Sequence, residues 1–123
     1  SILNAAKSGD VATIKSLVNS GKKANNMDLD TGESALMAAA KGGHVNIVTL
    51  LLERGADPNK TLYANGETAL MMASRAGHKD IVRHLLKKGA KIHFKNAETG
   101  ETAADIAKKA GYPEIADLIT EKS

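Results

Sequence analysis

The chain has 123 residues, enough for about one domain, with 42% apolar residues, 25% charged residues and a formal net charge of +3. It contains no cysteine, which excludes a disulfide scaffold, a thiolate metal site and a cysteine nucleophile. No apolar run approaches the roughly 20 residues of a membrane-spanning helix, and no signal peptide is visible, so the chain is expected in the cytoplasm. Only Tyr63, Phe94 and Tyr112 are aromatic. The core must therefore be built from Ala, Leu, Ile, Val and Met, which favours small, closely packed helices.

In chain order, a first helix begins at Ser1 and stops at Gly9. Residues 9–21, GDVATIKSLVNSG, carry a second helix. Ser34 then stands as an N-cap two residues after the turn glycine Gly32, and a helix of roughly two turns runs to Gly43. The next helix presents Ile47, Val48, Leu51 and Leu52 on one face. Gly55 follows, where a left-handed residue is wanted. The same sentence is written again with Thr68, Gly77, Ile81, Val82, Leu85, Leu86 and Gly89. A third version runs from Thr102 through Gly111 to a more polar helix with Ala116 and Asp117. Between each closing glycine and the next N-cap lie Asn, Pro and Gly without helical period, which reads as a turn or hairpin finger.

The period is 34 residues: Gly9, Gly43, Gly77 and Gly111 share it, as do Gly21, Gly55 and Gly89, and Gly32, Gly66 and Gly100. Four copies fit, at about 1–27, 28–61, 62–95 and 96–123. A helix pair of this size cannot bury its faces alone, so the copies must stack into one domain spanning residues 1–123. The last copy places Asp105 where the second and third have Met37 and Met71, as a terminal capping repeat requires. The first copy lacks its opening segment, which leaves both a whole protein and a segment of a longer parent chain open.

Gly66-Glu67-Thr68-Ala69-Leu70, Gly77-His78, Ile81-Val82, Leu85-Leu86, Gly89-Ala90 and the phrase Gly55-Ala56-Asp57-Pro58-Asn59 together resemble the ankyrin repeat family. The resemblance covers the whole chain. It implies an all-α solenoid of stacked helix-turn-helix units with projecting hairpin fingers, and a concave binding surface made by the inner helices and fingers. The family's Thr-Pro-Leu-His phrase is replaced here by Ser34-Ala35-Leu36-Met37 and Thr68-Ala69-Leu70-Met71. The proline and the histidine hydrogen bond that lock the first helix are therefore absent.

Stacked helices lie about 8–10 Å apart, so residues one period apart are neighbours along the array. One such column is entirely basic: Lys7, Lys41, Arg75 and Lys109. The resemblance places it on the concave side. Cations at helix C-termini are favourable in themselves, and the column Glu33, Glu67 and Glu101 near the helix starts fits the same account. The alternative is a ladder that receives an acidic partner. Like charges about 10 Å apart repel by only roughly 0.4 kcal/mol in water, so the ladder is tolerable with or without a ligand.

Leu29 and Tyr63 fall at equivalent finger tips, and tyrosine is enriched at interface hot spots. Tyr63 has a competing role in packing on the adjacent finger. Phe94, at a finger base, is expected to be buried. The stripe Lys79, Arg83 and Lys87 aligns with acidic residues of adjoining repeats, Arg83 with Asp117 and Lys87 with Glu53 and Glu121. Pairing across repeats there argues against a nucleic-acid patch. His44 and His78 lie one repeat apart, too far to share a metal whose ligands sit about 2 Å from the ion.

No catalytic motif occurs, and no metal site, cofactor or enzyme activity is expected. The reading is a monomeric protein-interaction module. Its partner is another protein, with an acidic segment as the candidate chemistry. The contact set is Leu29, Glu33, Tyr63, Glu67, Lys7, Lys41, Arg75 and Lys109. Two alternatives stand beside it: a non-catalytic segment of a larger enzyme or effector, and a weak binder of nucleic acid or anionic surfaces.

Overall fold

A computed structural model describes residues 1–19 and 24–121. Gly21, one of the periodic glycines, lies outside the described residues. Among the described residues eight helices follow in order: α1 Ile2–Ser8, α2 Val11–Asn19, α3 Ala35–Gly42, α4 Val45–Glu53, α5 Ala69–Ala76, α6 Lys79–Lys87, α7 Ala103–Lys109 and α8 Pro113–Thr120. They pack as four successive pairs, α1 with α2, α3 with α4, α5 with α6 and α7 with α8. α1, α3, α5 and α7 pack in sequence as one layer, and α2, α4, α6 and α8 as a second.

Short polar signals set these bounds. The side chains of Ser34, Thr68 and Thr102 accept hydrogen bonds from the N–H groups of Met37, Met71 and Asp105 at 3.1, 3.4 and 3.3 Å. Each satisfies one of the free donors that a helix start leaves open. In α7 the box closes in both directions, since Thr102 N–H donates to Asp105 Oδ2 at 3.1 Å. In α3 the thioether of Met37 takes the reciprocal place, 3.5 Å from Ser34 N. The lock expected to be missing is thus partly restored by sulfur, a weaker acceptor.

The first-layer helices end in a double reverse bond. At α3, Gly43 N–H reaches Ala40 O and His44 N–H reaches Ala39 O; at α5, Gly77 and His78 do the same with Ser74 and Ala73. Gly43 and Gly77 have φ of 78° and 80°, the left-handed region that this termination needs. The residue after each glycine also fastens the repeats. The His78 ring packs on Gly43, and the Tyr112 ring on Gly77. A Cβ at these glycines would meet those rings at 2.8 and 2.6 Å.

The core is one continuous strip. Ala5, Ala39, Ala73 and Ala107 are buried along the first layer, where small side chains let helices approach. Ile14, Ile47, Val48, Leu51, Ile81, Val82, Leu85, Ile115 and Ile119 fill the space between layers. Burying one such large aliphatic side chain contributes roughly 1.5–3 kcal/mol, so this shared core is the main stabilising feature. Leu86 and Phe94 are half-buried against this core rather than enclosed.

Polar bonds stitch the connecting loops. Asp57 N–H donates to Asn25 Oδ1 at 2.7 Å, and Lys91 N–H to Asn59 Oδ1 at 2.8 Å, one period later. The fingers are hairpins too short to form regular strands. Their closing bonds run from Asp28, Leu62 and Asn96 N–H to Glu33, Glu67 and Glu101 O.

Candidate functional site: the groove beneath the fingers

The N-caps fix where each first-layer helix begins, and two turns later the chain delivers a cation. Lys7, Lys41, Arg75 and Lys109 are all exposed in the last turns of α1, α3, α5 and α7. They do not stand alike. Lys7 pairs with Glu33 of the next repeat at 3.3 Å, and Lys109 with Glu101 of its own repeat at 3.8 Å. Arg75 grips Glu67 with both arms of its guanidinium, Nη1 lying 2.8 Å from Oε1 and Nη2 bonding Oε2. Among the described residues, Lys41 is the one member of the column that forms no ion pair.

Glu67 is buried, its side chain only 6% exposed. Besides Arg75 it accepts a hydrogen bond from Asn96 Nδ2 at 2.8 Å. The Arg75 hydrogen bond, opposed by burial and assisted by Asn96, holds the Glu67 carboxyl below the usual carboxylate range. The same bond raises Arg75 above its ordinary value. Glu67 therefore offers almost no surface to a partner and acts as the support that aims Arg75. Glu33 differs because Leu62 occupies the position that corresponds to Asn96 and has no donor to give. Its side chain keeps 22% exposure.

Two grooves open along this face. One of about 470 Å³ is lined by Lys7, Glu33, Ala38, Lys41 and Gly42. The other, of about 380 Å³, is lined by Lys41, Leu62, Asn65, Glu67, Met72, Arg75 and Ala76. The structure thus brings Lys7, Glu33, Lys41, Glu67 and Arg75 together around adjoining concavities. Lys109, Leu29 and Tyr63 line neither of these two.

Leu29 and Tyr63 are 81% and 60% exposed. Tyr63 is nevertheless held, with its ring against Gly32 and its N–H donating to Thr31 O at 3.0 Å. Ala97 N–H makes the matching bond to Asn65 O at 2.7 Å. Packing on the adjacent finger, the competing role for Tyr63, is what the geometry shows. More than half of its surface remains available.

On the outer stripe Lys79 pairs across repeats as expected, and Arg83 does not. Arg83 reaches Asp80 on its own helix at 3.5 Å, and Lys79 reaches Glu114 of the next repeat at 3.0 Å. Arg83 takes the nearer carboxylate because one helical turn is shorter than the step between repeats. The His44 ring packs on Gly9 and Gly42, and the His78 ring on Gly43. Among the described residues no group of three or more His, Asp or Glu is placed to hold a metal ion, and no helix is long and apolar enough to cross a membrane.

Met72, Leu62, Asn65 and Asn96 were not singled out by sequence reasoning. Met72 reads as core, and it is 6% exposed, but that remainder faces the groove. Asn96 shares its column with Asp28 and Leu62, so a donor at that one position was the available signal.

The family model for ankyrin repeats (3 copies) matches residues 2–96 and, in a second overlapping match, residues 61–123. No curated protein matches the chain.

Proposed function

The chain belongs to the ankyrin repeat family, whose members generally mediate protein–protein interaction and are typically non-catalytic, and from that premise we propose that it binds a partner protein through its concave face and finger tips. The face is the grooved side of the first helix layer. The partner presents an acidic segment to the column of Lys7, Lys41, Arg75 and Lys109, while Leu29 and Tyr63 contact it from the fingers. Glu33 and Glu67 contribute by orienting cations. The chain acts as a single monomeric unit of four repeats, residues 1–123, and needs no cofactor.

The observation that carries this reading is four exposed cations repeated one period apart, three of which, Lys7, Lys41 and Arg75, line two adjoining grooves. A preformed surface of this kind supports binding because little of it must be ordered when the partner arrives. Opposite charge along it would speed encounter, with a dependence on salt.

Paired affinity capture tests the proposal. One bait is the wild type; the other carries Lys41→Glu and Leu29→Asp. Both positions are exposed, so the variant retains its fold. A protein held by the wild type and lost by the variant is expected. Equal capture by both would refute the concave-face assignment. Arg75→Glu is unsuitable for this purpose, because it would set a second carboxylate beside buried Glu67.

A further inference from the structure

The basic column is not a uniform ladder. Lys7, Arg75 and Lys109 each have a carboxylate of this chain within ion-pairing reach. Lys41 has none among the described residues, although it occupies the equivalent place on its helix. The reason lies one repeat ahead. Glu67, the acidic residue that answers to Lys41 as Glu33 answers to Lys7, is taken by Arg75 and Asn96. Arg75 has the reach and the planar fork to bind both carboxylate oxygens, and Asn96 satisfies a further lone pair. Lys41 is thus left uncompensated by the same contacts that fix Arg75.

Its position is otherwise well determined. Lys41 belongs to the wall of both grooves, the one toward Lys7 and the one toward Arg75. Its backbone is held from the next repeat, since His78 Nε2 lies 3.3 Å from the Lys41 carbonyl oxygen. Beside it the lining turns apolar, with Met72, Ala76 and Leu62 on one side and Ala38 on the other.

We propose that Lys41 is the carboxylate-binding anchor of the face, receiving one Asp or Glu side chain of an extended partner segment, with an adjacent apolar side chain of that segment lying on Met72 and Leu62. This deepens the concave-face reading and rests on it. It assigns the acidic specificity to one cation out of four. The other three hold internal carboxylates that an incoming one would have to displace. The ammonium of Lys41 offers donors without that competition, and the Met72 thioether is an adaptable apolar surface for the neighbouring side chain.

The test uses two blocked dipeptides as probes, acetyl-Glu-Leu-amide and acetyl-Gln-Leu-amide. Each is titrated into the wild-type protein while the NMR signals of the Met72 methyl and the Lys41 side chain are followed. The glutamate peptide is expected to bind about threefold more tightly than the glutamine peptide, the scale of an exposed ion pair. It should shift both signals. Lys41→Gln abolishes the preference, and Lys87→Gln, on the exposed side of the outer helix α6, leaves it intact.

Equal binding of the two peptides, a preference that survives Lys41→Gln, or no shift with either peptide would each overturn the assignment. These outcomes are separable from those of affinity capture. If a partner is lost on Leu29→Asp alone but the peptides show no preference, the face is right and the anchor is wrong. If capture is unchanged by Lys41→Glu with Leu29→Asp, the concave-face reading itself has failed.

Discussion

Glu33 and Glu67 hold the same place in successive repeats, yet one is a partly exposed carboxylate with a single lysine partner and the other is buried under an arginine and an asparagine. The sequence around them is nearly the same, GESALM against GETALM. What differs lies elsewhere: Arg75 in place of Lys41 eight residues on, and Asn96 in place of Leu62 in the following finger. A repeat fixes where a side chain sits, and its neighbours along the array decide what it can do there. The junction around Glu67 is consequently closed over its carboxylate by polar contacts and the one around Glu33 is left more open, while Lys41, on the wall of both grooves, has no ion pair among the described residues.

The sharpest way to break the closed junction is Gly77→Ala. It combines left-handed strain of roughly 1–2 kcal/mol with displacement of the Tyr112 ring, for a total of about 2–4 kcal/mol. Gly111 also has a positive φ, of 93°, but a Cβ there would meet nothing within 4 Å. Gly111→Ala should therefore cost only the strain, about 1–2 kcal/mol. Urea unfolding of the two variants measures the difference, which is the contribution of the ring contact.

Next in size is Arg75→Ala. It leaves the Glu67 carboxylate buried with Asn96 as its remaining side-chain partner, a loss of about 1–2 kcal/mol, the half-exposed guanidinium keeping it at the lower end of the usual penalty. The companion Lys7→Ala frees Glu33 into solvent and should cost less than about 0.5 kcal/mol. Similar losses for the two would erase the distinction between the glutamates. Asn96→Leu makes the closed junction resemble the open one. It removes a charge-assisted hydrogen bond and the loop bonds to Glu98 and Thr99, and about 1 kcal/mol is expected.

The smallest effect is one of pH. The Glu67 pKa is lowered in the folded protein. Its contribution is therefore fully present above the unfolded-state value and is lost as pH falls through the folded one. Stability followed by denaturation from neutral to acidic pH should decline less steeply in Glu67→Gln than in the wild type. An identical slope would show that the carboxylate is not held in its charged form.

The helix pairs were legible because their signals are local. The N-cap hydroxyls, the terminating glycines and the apolar faces at helical spacing all act within one or two turns, and Ser34, Thr68, Thr102, Gly43 and Gly77 stand where their residue types predicted. The basic column was legible too, since a period converts spacing into adjacency. The pairing within that column was not. Whether Glu67 bonds Lys41 or Arg75 depends on side-chain reach and on a donor from the following finger, neither of which a column alignment contains. Arg83 shows the same limit, choosing Asp80 on its own helix over the aligned Asp117. Met72 reads as core from its apolar character, and only the shape of the surface turns its edge into groove lining.

Site-directed photo-crosslinking tests the central claim most directly. A photoreactive amino acid is placed at Ala76, in the groove, and separately at Lys87, on the exposed side of the outer helix α6. Each protein is irradiated in cell lysate. The account predicts a discrete protein adduct from position 76, competed away by unlabelled wild type, and none from position 87. A competable adduct from position 87 with none from position 76 would contradict it and move the binding surface to the outer helices.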